Sequence, residues 1–85
     1  MGKVIVTFRI MPKDIEVDLE ELEERVRKEI GPERMEREPI AFGLVAIKAT
    51  KLVEEESGEL EREENKIRGI EGVGEVEIVE ITRSI

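Results

Sequence analysis

The chain contains no cysteine and no histidine, and those two absences remove most of the chemistry that a small protein can run on its own. Without cysteine there is no disulfide framework, thiolate nucleophile or sulfur-ligated metal, so the fold must hold together by packing. Without histidine, the side chain most used for proton transfer near neutral pH, which is also the commonest metal ligand, is gone. Ser-His-Asp and Cys-His catalytic arrangements are excluded with it. No glycine-rich phosphate loop of the P-loop or dinucleotide type occurs. No apolar run approaches the roughly 18 residues that span a bilayer. The start Met1-Gly2-Lys3-Val4 lacks the long apolar stretch and small-residue cleavage site of a signal peptide. A cytosolic chain with no cofactor and no catalytic residue, acting by binding another macromolecule, is the expectation.

What remains is charge. Asp, Glu, Lys and Arg make up 42% of the 85 residues, while tryptophan and glutamine are missing and Asn65 is the only asparagine. This is a heat-adapted composition, rich in residues that form surface ion-pair networks and poor in thermolabile ones. Disorder would be the competing reading of so much charge, but the regular apolar pattern described next speaks against it. Twenty-two acidic residues against fourteen basic ones give a net charge of −8, which does not suit a polyanion, since nucleic-acid affinity comes largely from Lys and Arg neutralising phosphates. A protein surface that is basic or of mixed charge is the better partner. The length supports one core, hence a single domain over residues 1–85.

Along the chain, Val4, Val6, Phe8 and Ile10 alternate with Ile5, Thr7 and Arg9, the pattern of a half-buried strand that Pro12 ends. Asp18 stands where an N-cap belongs, with Glu20 and Glu21 in the first turn and Val17 placed to pack back as a staple. Leu19, Leu22, Val26 and Ile30 make one helical stripe, and Gly31-Pro32 stops the helix. Met35 to Glu38 reads as a short charged edge strand, Leu44 to Val53 as a more buried one, and the two form a hairpin around Ala41-Phe42-Gly43. After an acidic loop at 54–58, a second helix is predicted from Glu59 to Ile70 with Leu60, Ile67 and Ile70 inward. Gly72 and Gly74 bracket Val73 in a turn. The last strand runs from Glu75 to Thr82, its alternation changing phase between Ile78 and Val79 as at a bulge.

Strand, helix, strand, strand, helix, strand is the ferredoxin-like α+β pattern, a four-stranded antiparallel sheet with both helices on one face and the first and third strands at its centre. With those two strands taken to run in one direction, residues 39–43 and 82–85 are expected to meet at one end of the sheet, where function would lie. Phe42, one of only two aromatic residues, has two open readings there: an exposed anchor for a partner pocket, or a plug folded back into the core. Arg83 is a candidate cation reaching a partner, or ordinary surface charge. The glutamate runs at 20–21 and 54–56 read as solvated surface. The corner Ile70-Glu71-Gly72-Val73-Gly74 is shared by many ferredoxin-like modules. Metal carriage would need paired cysteines, and RNA recognition would need aromatics where Ile5, Thr7, Lys48 and Thr50 stand.

Over nearly its whole length the sequence resembles the archaeal elongation factor 1-beta family, the guanine-nucleotide exchange factors for elongation factor 1-alpha. The resemblance lies in the Val-rich strand ending Met11-Pro12, in Val17-Asp18-Leu19, in Glu38-Pro39-Ile40-Ala41-Phe42-Gly43-Leu44-Val45-Ala46 and in Ile70-Glu71-Gly72-Val73; Pro39 to Leu44 is its specific part. It implies a domain that binds the GTPase, displaces its magnesium ion and loosens GDP, with Pro39, Ile40, Ala41, Phe42 and Gly43 at the contact. In related eukaryotic factors the hairpin phenylalanine packs on the partner, and a lysine beside the C-terminal residue reaches toward the magnesium. Here Ser84 holds that penultimate position and Arg83 is the nearest cation. A monomer is expected when free. The alternative is a small-molecule-sensing regulatory module that pairs its sheets in a homodimer.

Overall fold

The computed structural model describes residues 2–55 and 58–83. Its elements are β1 (Lys3–Pro12), α1 (Leu19–Ile30), β2 (Arg34–Pro39), β3 (Val45–Glu54), α2 (Glu59–Arg68) and β4 (Val73–Arg83). They form one sheet of order β2-β3-β1-β4 in which every neighbouring pair is antiparallel. This is the ferredoxin-like α+β fold that the element order predicts.

Alternation along β1 decides which face of the sheet is dry. Val4, Val6, Phe8 and Ile10 are buried, and opposite them on β3 lie Val53, Ala49 and Ile47, buried as well. Leu22, Val26 and Ile30 of α1, Ile67 of α2 and Ile70 close over that face as a single core. Each large aliphatic side chain taken fully out of water there contributes about 1.5–3 kcal/mol. The caps of α1 are those its sequence predicts: the Glu21 amide donates to the Asp18 carboxylate, and Gly31, at φ 53°, returns its amide to the Arg27 carbonyl. In β4 the phase change proves to be a bulge, since Thr7 pairs with Glu80 while Phe8 pairs with Ile78, leaving Val79 unmatched.

Several boundaries differ from expectation: β2 is longer by one residue at each end, β3 starts one residue later and β4 ends one residue later, and three further differences have a clear cause. Helix α2 ends at Arg68, because the Gly69 and Ile70 amides turn back onto Asn65 and Ile67, and Ile70 reaches the core from the turn that follows. Strand β4 begins at Val73, which pairs with Pro12; Val73 and Gly74 are strand residues, not a turn. A side chain at Gly74 would place its Cβ 2.7 Å from the Lys13 backbone, so glycine there permits a close approach of two chains. Glu54 closes β3 instead of opening a loop, and positions 56 and 57 of the expected acidic loop lie outside the described residues.

The larger correction concerns direction. Lys3 pairs with Glu54 and Ile10 with Ile47, so β1 and β3 run oppositely, and β2 runs parallel to β1 with β3 between them. The β2–β3 hairpin therefore stands beside the Pro12 end of β1 and the start of β4, whereas Arg83 pairs with Val4 at the other end. Residues 39–43 and 82–83 are not neighbours. At about 3.3 Å per residue the strands hold them on the order of 30 Å apart, in a domain whose longest dimension is 41 Å. Residues 84 and 85 lie outside the described residues.

Two polar features tune this frame. The Arg37 guanidinium of edge strand β2 donates two hydrogen bonds, of 2.9 and 3.0 Å, to Glu23 on α1, tying the edge to the helix layer. Those hydrogen bonds hold the Glu23 carboxyl below its usual range against the opposing push of partial burial, and the charges of Arg37 and Arg27 add to the lowering. A depressed carboxylate stabilises the fold above its unfolded value, near pH 4.3, and that stabilisation disappears as the pH falls through the folded value. Glu23→Gln is accordingly expected to lower the thermal midpoint at pH 7, with a gap to the parent that closes as the pH falls below about 4; a gap independent of pH would contradict this.

The other feature is Glu63, which falls on the inward stripe of α2 and is only 5% exposed. Its Oε2 lies 3.4 Å from Lys66 Nζ, and its Oε1 has no hydrogen-bond partner among the described residues. An unmatched buried carboxylate oxygen costs more than an apolar group of similar shape. Replacement Glu63→Leu should raise stability by about 1 kcal/mol in chemical denaturation, and a loss would mean that the carboxylate is matched after all.

Candidate functional site

The hairpin tip is built to show its side chain. The Ile40 amide donates to the Leu44 carbonyl at 2.8 Å, and the Leu44 amide closes a four-residue turn onto the Ala41 carbonyl at 3.0 Å. Both central residues have positive φ, 58° at Phe42 and 79° at Gly43, the pattern of a type I′ turn whose twist matches that of the flanking strands. Asn, Asp or Gly is the usual occupant of the first central position. A phenylalanine there bears the left-handed conformation at about 1–2 kcal/mol. The ring is 96% exposed, so no burial in the domain offsets that strain. Phe42 is therefore not a core plug; Phe8, the other aromatic residue, is fully buried. Pro39, Ile40, Ala41 and Gly43 are exposed around it.

Beside the tip lies the β1–α1 loop. The Lys13 amide donates to the Gly72 carbonyl, and the Glu16 amide donates to the Asp14 side chain, both at 2.9 Å. Ile15 stands at the apex, 70% exposed, and Val17 turns inward against the core. Between loop and hairpin is a small notch with Ile15, Val17 and Leu19 on one wall and Gly43 and Leu44 on the other.

At the far end, Arg83 is held. Its two terminal nitrogens meet the two carboxylate oxygens of Glu55 at 2.9 and 2.8 Å, a fork-to-fork pair of the geometry that suits a guanidinium. The Glu55 amide in turn donates to the Gly2 carbonyl at 2.8 Å. Lys3 and Glu54 pair alongside at 3.6 Å. Arg83 remains largely open to solvent, with its side chain 76% exposed.

Sequence reasoning thus singled out the hairpin and Arg83 but placed them together, whereas the structure puts them at opposite ends, and it singled out neither Ile15 nor Glu55. Ile15 did carry a signal: an isolated large apolar residue within the polar run Lys13-Asp14-Ile15-Glu16, outside both the strand and the helix pattern. Glu55 carried none, being one glutamate in a row of three. Between the two ends, the open sheet face is crossed by Arg9, which bridges Glu38 of β2 at 3.2 Å and Glu77 of β4 at 2.9 Å. Among the described residues no cluster of three acidic side chains could hold a metal ion, and no helix is long and apolar enough to cross a membrane.

The structure thus carries an exposed aromatic on a strained turn at one end of its sheet and an exposed, ion-paired cation at the other. Known proteins show the family to which this arrangement belongs. Residues 5–83 match the EF-1 guanine nucleotide exchange domain, and the chain belongs to that family. It is 42% identical over 80 residues to the elongation factor 1-beta of Thermoplasma acidophilum, covering 89% of this chain and 91% of that one. With its counterpart in Methanothermobacter thermautotrophicus it shares 39% over 87 residues, and with that of Staphylothermus marinus 43% over 89 residues, in each case across 98% of both chains.

If the turn carries Phe42 for an outside partner, the domain does not need it for folding. Phe42→Gly relieves about 1–2 kcal/mol of left-handed strain and returns up to about 1 through the freer unfolded chain, so the thermal midpoint should hold level or rise. A marked fall would show that the ring supports the fold.

Proposed function

We propose that this domain speeds GDP release from elongation factor 1-alpha by contacting the GTPase from both ends of its sheet, as a monomer in the cytosol. The observation that carries the reading is Phe42, an exposed aromatic side chain kept on strained backbone in a domain that has no internal use for it. Pro39, Ile40, Ala41 and Gly43 frame that anchor. Arg83 is the cation at the other end, directed at the GTPase's magnesium and nucleotide phosphates. Its pair with Glu55 is exposed, and exposed pairs contribute little net stability, so the guanidinium can be given over to a phosphate. Exchange requires no bond making. The domain binds the nucleotide-free GTPase more tightly than the nucleotide-bound one, and by linkage weakens nucleotide binding by the same factor. Pairing of two copies through the open sheet face, as the regulatory-module alternative requires, would have to bury the ion pairs of Arg9 at its Pro12 end.

The test is release of a fluorescent GDP analogue from archaeal elongation factor 1-alpha in magnesium. The parent domain should accelerate release. Phe42→Ala should raise the concentration needed for half-maximal effect by at least tenfold, the equivalent of about 1.4 kcal/mol. Arg83→Ala should lower the saturating rate, and chelating the magnesium should erase the difference between Arg83→Ala and parent. No acceleration by the folded parent would overturn the reading, and an unchanged rate for Arg83→Ala would remove that residue from it.

A further inference from the structure

Two side chains at the hairpin end are far more exposed than apolar side chains of their size need to be. Phe42 is 96% and Ile15 70% exposed, ahead of Ile81 at 52% and of every other large hydrophobic among the described residues. They come from segments 27 positions apart in sequence, yet the loop of one and the turn of the other form the two walls of a single notch. Ile15 has no task in the fold. The staple position against the helix layer is taken by Val17, whose Cγ1 lies close to Gly72 beside Leu22, and the loop is tied by its backbone and by Asp14 without help from the Ile15 side chain.

We propose that Ile15 is a second anchor for the GTPase, straddling the notch with Phe42 so that both bury against one apolar surface of the partner. This deepens the exchange-factor reading and rests on it. The notch, about 50 Å³, is far below the roughly 300–1,000 Å³ of pockets that hold small molecules. It therefore takes the methyl groups of a small partner side chain such as valine or alanine, and is too small for a metabolite. A central apolar pair around a small recess, framed by the charged residues Lys13, Asp14 and Glu16, is the arrangement of an interface core with a polar rim.

The same GDP-release assay decides, run over a range of domain concentrations with Ile15→Ala, Phe42→Ala, the double variant and, as an equal-sized apolar deletion elsewhere, Ile81→Ala. Ile15→Ala should raise the half-saturating concentration about tenfold with the saturating rate kept, and Ile15→Met should restore most of it. The double variant should lose less than the product of the two single losses, because each anchor works with the other in place. Ile81→Ala should behave as the parent, and thermal midpoints should stay level for Ile15→Ala. Parent-like half-saturation for Ile15→Ala, while Phe42→Ala is impaired, overturns the second anchor and leaves the exchange reading standing. A parent domain that does not accelerate release overturns both.

Discussion

Eight residue pairs join β1 to β3, from Lys3–Glu54 to Ile10–Ile47, with the two strands running oppositely. The rest of the molecule depends on that pairing. It puts Phe8 and Ile10 against Ala49 and Ile47 at the centre of the core, and it forces the following hairpin to one end of the sheet and the exit of β4 to the other. Apolar burial on one face pins the register, since a slip of one residue would turn Val4, Val6, Phe8 and Ile10 into water. The separation of the hairpin from Arg83 is thus as fixed as the core itself.

Around that frame the charge is arranged to tie elements together instead of marking a site. Arg37 and Glu23 bind the edge strand to α1, Arg9 spans the open face between the two edge strands, and Arg25 reaches from α1 to the Glu71 carbonyl of the turn before β4. Charges crossing the open face also discourage edge and face pairing with other copies. Against so polar a surface the few exposed apolar groups stand out. Phe42 in particular sets an aromatic ring on a positive-φ turn residue, which lowers stability and buries nothing within the domain, and this is why it anchors the proposed contact.

Much of this was legible in the sequence because local rules decided it. The Asp18 and Gly31 caps, the helical stripe of α1, the alternation of β1 and the bulge at Val79 all follow from patterns within a few residues. The end of α2 is hidden in the sequence because Ile70 keeps helical spacing with Ile67 and Gly69 stays in the right-handed helical region, while the Ile70 amide leaves the i→i−4 ladder for the Ile67 carbonyl. The joint placement of the hairpin and Arg83 failed for a topological reason that the predicted sheet already contained: neighbouring central strands of an antiparallel sheet run oppositely, so giving β1 and β3 one direction contradicts the sheet itself. Exposure of Phe42 was likewise undecidable from residue type. Only the turn's positive φ, with the strands fixed on either side, aims the ring outward. Glu55 was hidden in a glutamate run, and its selection from that run is made by the distant Arg83.

The central claim is contact from two ends. Backbone amide shifts of the isotope-labelled domain, followed by NMR as it binds nucleotide-free elongation factor 1-alpha, test it most directly. The largest changes are expected in two separate groups, residues 13–16 with 40–44 at one end, and Gly2, Glu55 and Arg83 at the other, with Thr7 and Thr50 between them little changed. Changes confined to a single end, or centred on Thr7 and Thr50 of the open face, would contradict it.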